Sequence, residues 1–163
     1  MNTKLLNSAK FYRDNGFNVI AVDKNKIPLF PWRQYQTRFI TLEEITKQLH
    51  HPNAAGIAII CGAISGNLEV IDIDLKVFQT PEEREAFYKR LCDLVGPEFY
   101  KIMHKVQTRS GGFHWYYRVD GSAAKCQKLA YPGLPGSEAV IELKGEGGYV
   151  VAPPTPGYKM IFD

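Results

Sequence analysis

The sequence predicts an α+β fold, on two observations. Amphipathic segments with helix-start signals alternate with short aliphatic runs through the first half of the chain. From about residue 104 onward only β-type runs remain, separated by glycine-rich turns. The resulting order is helix, strand, helix, two strands, helix and then a run of strands, which suits helices laid over one sheet face or more.

The elements follow in order. Residues 3–15 place Leu5, Leu6, Ala9 and Tyr12 on one helical face, and Gly16 supplies a left-handed stop. "FNVIAVD" (17–23) reads as a strand, and "KNKIPLFPW" (24–32), with two prolines, as a loop. "TLEE" (41–44) is a capping box opening a helix that runs to about His50. "GIAIICG" (56–62) and "NLEVIDIDL" (67–75) read as two strands around an "AISG" turn. Thr80 caps a helix with Pro81 at its first position and Glu82 and Glu83 in its first turn. That helix presents Phe87, Leu91, Leu94 and Val95 as its apolar face, and "GP" (96–97) ends it. Strands are expected near 104–108, 112–119, 139–144 and 148–152.

A length of 163 residues suits a single domain spanning 1–163 with a real core. The 45% hydrophobic and 23% charged content is that of a globular chain. No apolar run approaches the roughly 18 residues of a membrane span, and the N-terminus lacks a signal-peptide core. A soluble, cytoplasmic protein with no membrane partner is expected. Cys61, Cys92 and Cys126 show no C-x-x-C spacing, which argues against disulfides and structural zinc, and mostly buried free thiols are expected. A net charge of +3 is compatible with a polyanionic partner without requiring one.

The unusual chemistry lies in three stretches. In "VIDIDL" (70–75), Asp72 and Asp74 interrupt aliphatics that otherwise read as a buried strand. An ionised carboxylate there needs a counter-charge or a metal. At positions i and i+2 of a strand both would face one side, about 6.5–7 Å apart, with Ile71, Ile73 and Leu75 filling the core on the other. Oxygen ligands of this kind suit hard divalent cations that leave room for phosphates. In "TRSGGFHWYY" (108–117), Ser110, Gly111 and Gly112 form a turn able to offer N–H groups to an anion. His114 follows on a strand, on the same side as Tyr116, where it can reach a phosphate. In "VIELKGEGGYVVAPP" (140–154), Glu142 and Lys144 share a strand face. Taken singly, the three stretches also have plain readings: an acidic strand face, a hairpin with a core histidine, and a tight turn. Together, three acids can hold one or two divalent metals, and a serine-glycine turn, a histidine and a lysine can hold a triphosphate. Two ions roughly 3.5–4 Å apart would activate an attacking hydroxyl and stabilise a leaving pyrophosphate. No nucleophile elbow, Walker A loop or His-x-His pair competes, and the adjacent His50 and His51 read as a solvated helix end.

In this order the motifs resemble the primase–polymerase (prim-pol) branch of the archaeo-eukaryotic primase superfamily. Its members carry a D-x-D or D-x-E strand, a T-x-S-G-G-x-H segment, and an acid on a strand followed by Gly-Gly-Tyr-Val-Val-x-P-P. "CGAISGNLEVIDID" and "KIPLFPW" are similar to family segments too, so the resemblance covers roughly residues 9–157. It implies an RNA-recognition-like palm sheet packed against a second small α/β module, with the active site between them. It implies that Asp72, Asp74 and Glu142 are the metal-binding catalytic acids, using two Mg²⁺ or Mn²⁺ ions. Ser110, Gly111, Gly112 and His114 would contact the incoming nucleotide, His114 counting among the catalytic set, and Lys144 would join them. Departures are a glutamate at 142 where aspartate is common, and Arg109 where proline is frequent. Some members carry a zinc stem, but Cys126 is the only thiol in that region, so no zinc is expected.

The implied activity is template-directed DNA primase and polymerase nucleotidyl transfer, with a single-stranded DNA template and nucleoside triphosphates as partners. The chain would be the N-terminal part of a longer replication protein of a mobile element, continued by a helical or helicase segment. One alternative is a repair-type polymerase of the same superfamily. The other is a non-catalytic nucleic-acid-binding initiator module, which would want basic and aromatic groove residues in place of clustered carboxylates.

Overall fold

The computed structural model describes residues 3–133 and 137–162. Among the described residues there are four α-helices and nine strands; the strands form two sheets, with helices packed against each. The first helix, α1 (Thr3–Asp14), leads into β1 (Val19–Val22), and α2 (Leu42–Leu49) precedes β2 (Gly56–Ile60). The α2 capping box forms as expected: Thr41 accepts from the Glu44 N–H, and Glu44 accepts from the Thr41 N–H. After β3 (Leu68–Ile73) come α3 (Pro81–Val95) and α4 (Pro97–Ile102). Thr80 and Glu83 make a second capping box at α3. The remainder is β4 (His104–Gln107), β5 (Phe113–Arg118), β6 (Gln127–Ala130), β7 (Ile141–Lys144), β8 (Tyr149–Ala152) and β9 (Lys159–Ile161).

One sheet has three strands in the order β1-β2-β8, and the other has six in the order β6-β7-β3-β5-β4-β9. Every pairing within them is antiparallel. The strands 56–62 and 67–75 meet across the "AISG" turn only through one antiparallel bridge, Gly62 to Leu68, and then diverge into different sheets. The segment between them, with a 3-10 turn at Ala63–Ser65, carries the chain from the small sheet to the large one. Residues 145–148 carry it back, so "GEGG" is a crossover too. Glu146 ties the two crossovers, accepting from the Ala63 N–H at 2.8 Å.

Period-2 alternation divides the large sheet into two faces. On one, Ile71 and Ile73 meet Phe113 and Trp115, and α3 and α4 cover them with Phe87, Tyr88, Leu91 and Tyr100. On the other, Leu68, Val70, Val106 and Tyr116 join α1, α2 and the small sheet in the larger core. That second face carries the polar row described next.

Candidate active site

The register brings three sequence-distant residues into one row: Asp72 lies directly opposite His114 on β5 and directly opposite Glu142 on β7. Directly opposed residues point to the same side, with Cβ atoms about 5 Å apart. Along β3, Leu68 and Val70 are sealed in the core, and two residues on Asp72 reaches a cleft. Asp72 is partly exposed, whereas His114 is only 5% exposed.

Lysines neutralise these acids. Lys144 hydrogen-bonds Glu142, and its ammonium stands 3.9 Å from Asp72 Oδ2. His114 Nε2 lies 3.5 Å from Asp72 Oδ1, and its Nδ1 3.3 Å from the Tyr116 hydroxyl. Burial alone would push the Asp72 carboxyl up, but the hydrogen bond from His114 and the His114 and Lys144 charges hold it below its ordinary value. For Lys144 burial works downward, and the Glu142 bond with the two carboxylates raises its pKa. The strand ends at Ile73, so Asp74 is not a strand residue; it caps the 3-10 turn Leu75–Val77 through the Lys76 N–H. Its carboxylate pairs with Lys76, which also bridges Glu138, each at 3.0 Å.

Asp72, Asp74, Glu142 and Lys144 share a hollow of about 290 Å³. A second cleft, of about 360 Å³, is bounded by Asp72, His114 and Lys144 on one side and by Lys26, Trp32 and Tyr149 elsewhere on its wall. Ser110 and Gly111 sit on an exposed turn lining neither, with Ser110 Oγ 3.2 Å from Thr108 Oγ1. Gly112 is buried against β3: a Cβ there would come within 2.1 Å of the Ile73 carbonyl oxygen. The thiols depart from expectation, since only Cys61 is fully buried and Cys126 is exposed beside the cleft.

Over residues 9–161 the sequence matches the family described as bifunctional DNA primase/polymerase, N-terminal. The chain belongs to that family. No curated protein matches it. In this primase/polymerase-family chain, α+β architecture and sheet register together set Asp72, His114 and Lys144 at one cleft, and Asp72 and Lys144 also line the hollow that holds Asp74 and Glu142.

Among the described residues, no three acid, histidine or cysteine side chains converge as a ready-made cage for a metal ion. The donors nevertheless fit a hard cation in kind: partly exposed carboxylate oxygens, already paired with ammonium groups that a cation would replace. Lys26, Trp32 and Tyr149 line the cleft as well, although no alternation or acid motif singles them out within "KIPLFPW" and "GGYVV". The available signals were a tryptophan in a proline-bearing loop and a tyrosine directly after a Gly-Gly pair.

Proposed function

We propose that this chain is the catalytic core of a template-directed DNA primase/polymerase. It would add nucleotides from nucleoside triphosphates and release pyrophosphate. The carrying observation is the Glu142–Asp72–His114 row, whose central Asp72 lines both the cleft and the hollow, in a chain of this family. Asp72, Asp74 and Glu142 would hold two Mg²⁺ or Mn²⁺ ions, which when bound supply hydroxyl activation and charge stabilisation at the leaving pyrophosphate.

The chain's own groups do the holding. Lys144 and His114 face the cleft as cationic and hydrogen-bonding donors for phosphate oxygens, and Tyr116 fixes the His114 ring through Nδ1. At the neighbouring strand end the exposed Ser110 hydroxyl is a further donor, while the Gly111 N–H is already given to the Thr108 carbonyl. The small sheet walls the cleft from the opposite side through Tyr149 and Val150, which limits water around the phosphates.

A gel assay tests the reading. Purified chain is given a single-stranded template, labelled nucleotides and Mg²⁺ or Mn²⁺, with and without a primer. Template-dependent, metal-dependent incorporation is expected. No incorporation under any of these conditions would overturn it.

A further inference from the structure

Trp32 and Tyr149 meet edge to face in the wall of the same cleft, with ring centroids 5.0 Å apart at 78°. An edge-to-face contact leaves at least one face of each ring unused by it, and both rings also pack in part against the larger core. Tyr149 is the only aromatic ring partner of Trp32 among the described residues. Trp32 is half-buried and lies in a loop rather than in a sheet or helix. Phosphates and cations do not call for such a wall, whereas every nucleobase has a π-face that stacks on one. At about 360 Å³ the cleft is also within the usual range for small-ligand sites, about 300–1,000 Å³.

The loop that carries Trp32 is pinned. The Asp23 carboxylate accepts from the N–H groups of Asn25 and Ile27, each at 2.8 Å. Between them Lys26 holds a left-handed φ of 70°, rare for a residue with a side chain. Its carbonyl accepts from the Tyr149 hydroxyl at 3.2 Å. Strain of this kind persists where the surroundings hold it and concentrates at ligand sites. The Tyr149 ring, tied by its hydroxyl and set against Trp32, needs little further ordering when a ligand arrives.

We infer that Trp32, braced by Tyr149, stacks on the base of the incoming nucleotide and fixes it while the phosphates reach His114 and Lys144. This rests on the proposed nucleotidyl-transfer reading and adds to it the residues that hold the nucleoside.

The test uses the chain with Mg²⁺ and two probes, dGTP and inorganic tripolyphosphate, each followed by calorimetry and tryptophan emission. The only other tryptophan, Trp115, is sealed beneath α3 and α4. Expected results are a dGTP-dependent change in emission that disappears in Trp32→Phe. Expected too is a dGTP affinity roughly 5- to 150-fold weaker in Trp32→Ala, largely restored in Trp32→Phe, with tripolyphosphate binding unchanged in both. Equal loss for dGTP and tripolyphosphate would make Trp32 structural and overturn the inference. So would unchanged dGTP affinity in Trp32→Ala, or an emission change produced by single-stranded DNA and not by dGTP, which would assign the wall to the template. If wild-type chain incorporates nucleotides while Trp32→Ala keeps its dGTP affinity, the inference falls and the polymerase reading stands. If wild type neither binds dGTP nor incorporates it, both fall.

Discussion

At the scale of single residues, the main fact is that ammonium groups already sit among the carboxylates. Lys144 spans Asp72 and Glu142, and Lys76 spans Asp74 and Glu138, so each of these carboxylates has an ammonium partner. Asp72→Asn keeps the side chain's shape and removes its charge. Even outer-shell partners of a metal typically contribute 10–100-fold to activity, and a direct ligand contributes more. Incorporation by Asp72→Asn should therefore fall by at least about 100-fold with an unchanged circular dichroism spectrum. Wild-type incorporation would remove Asp72 from the metal set. His114 differs, because both its ring nitrogens have partners inside the protein. A hydrogen bond to a charged phosphate contributes about 1.5–3 kcal/mol, so His114→Ala should weaken nucleotide binding roughly 10- to 150-fold. Calorimetry at saturating Mg²⁺ reads this directly, and an unchanged dissociation constant would leave His114 as a core residue held by Asp72 and Tyr116.

Among the elements, the two capped helices were legible because caps are local chemistry. Thr41 and Glu44, and Thr80 and Glu83, act within one turn of their own chain. Three other elements were not. "GP" at 96–97 reads as a stop, yet Gly96 both ends α3 and precedes α4, with Pro97 in the first turn where proline is favoured. The edge strands β6 and β9 have four and three residues and mostly exposed side chains, so no alternation marks them. Their identity comes from pairing with β7 and β4, a tertiary property. At α2, Thr41→Ala should destabilise the fold by about 1 kcal/mol in urea denaturation. Glu44 adds a pH dependence: the hydrogen bond from Arg38, with the bond from the Thr41 N–H, brings its pKa down to about 2. A depressed folded pKa means stabilisation present above the unfolded value of about 4.3 and lost as pH falls through about 2. The stability difference between wild type and Glu44→Gln should hold at neutral pH and close between about pH 4 and pH 2. A difference that is constant with pH would deny the ion pair a role. By contrast α3 has no fully buried residue, whereas β3 and β5 are largely sealed. Native-state hydrogen exchange should run at least about 10-fold faster in α3 than in the centres of β3 and β5. Equal protection would show that the helical layer opens only with the whole fold.

For the molecule as a whole, strand alternation implies that Asp72 and His114 each project from a sheet face, but not that register sets them opposite one another. The aromatic wall was less legible still. Its tryptophan comes from an aperiodic loop and its tyrosine from β8, and only the crossover at 145–148 brings β8 beside the acids. The same assembly limits how the chain can grip a template. Of 20 Lys and Arg against 17 Asp and Glu, several are engaged internally: Lys144 and Lys76 with the acids, Arg38 with Glu44, and Arg13, Arg84 and Arg118 with carbonyl oxygens. Next to the cleft, a groove holds Lys24, Lys26 and Arg109 alongside Asp23; none of the three has a carboxylate ion-pair partner among the described residues, and Arg109 donates one guanidinium N–H to the Lys24 carbonyl at 3.1 Å. If those three supply the template phosphate contacts, the log–log salt slope for single-stranded DNA is about −2, at about −0.7 for each contact. Affinity should then fall roughly 20-fold between about 50 and about 200 mM salt. Lys24→Ala should shift the slope by about 0.7 toward zero while weakening all template sequences alike. Fluorescence anisotropy of a labelled oligonucleotide across a salt series measures both quantities. A slope near −6 would mean a far wider basic footprint than this groove provides, and a slope near zero would mean that the bases, not the phosphates, hold the strand.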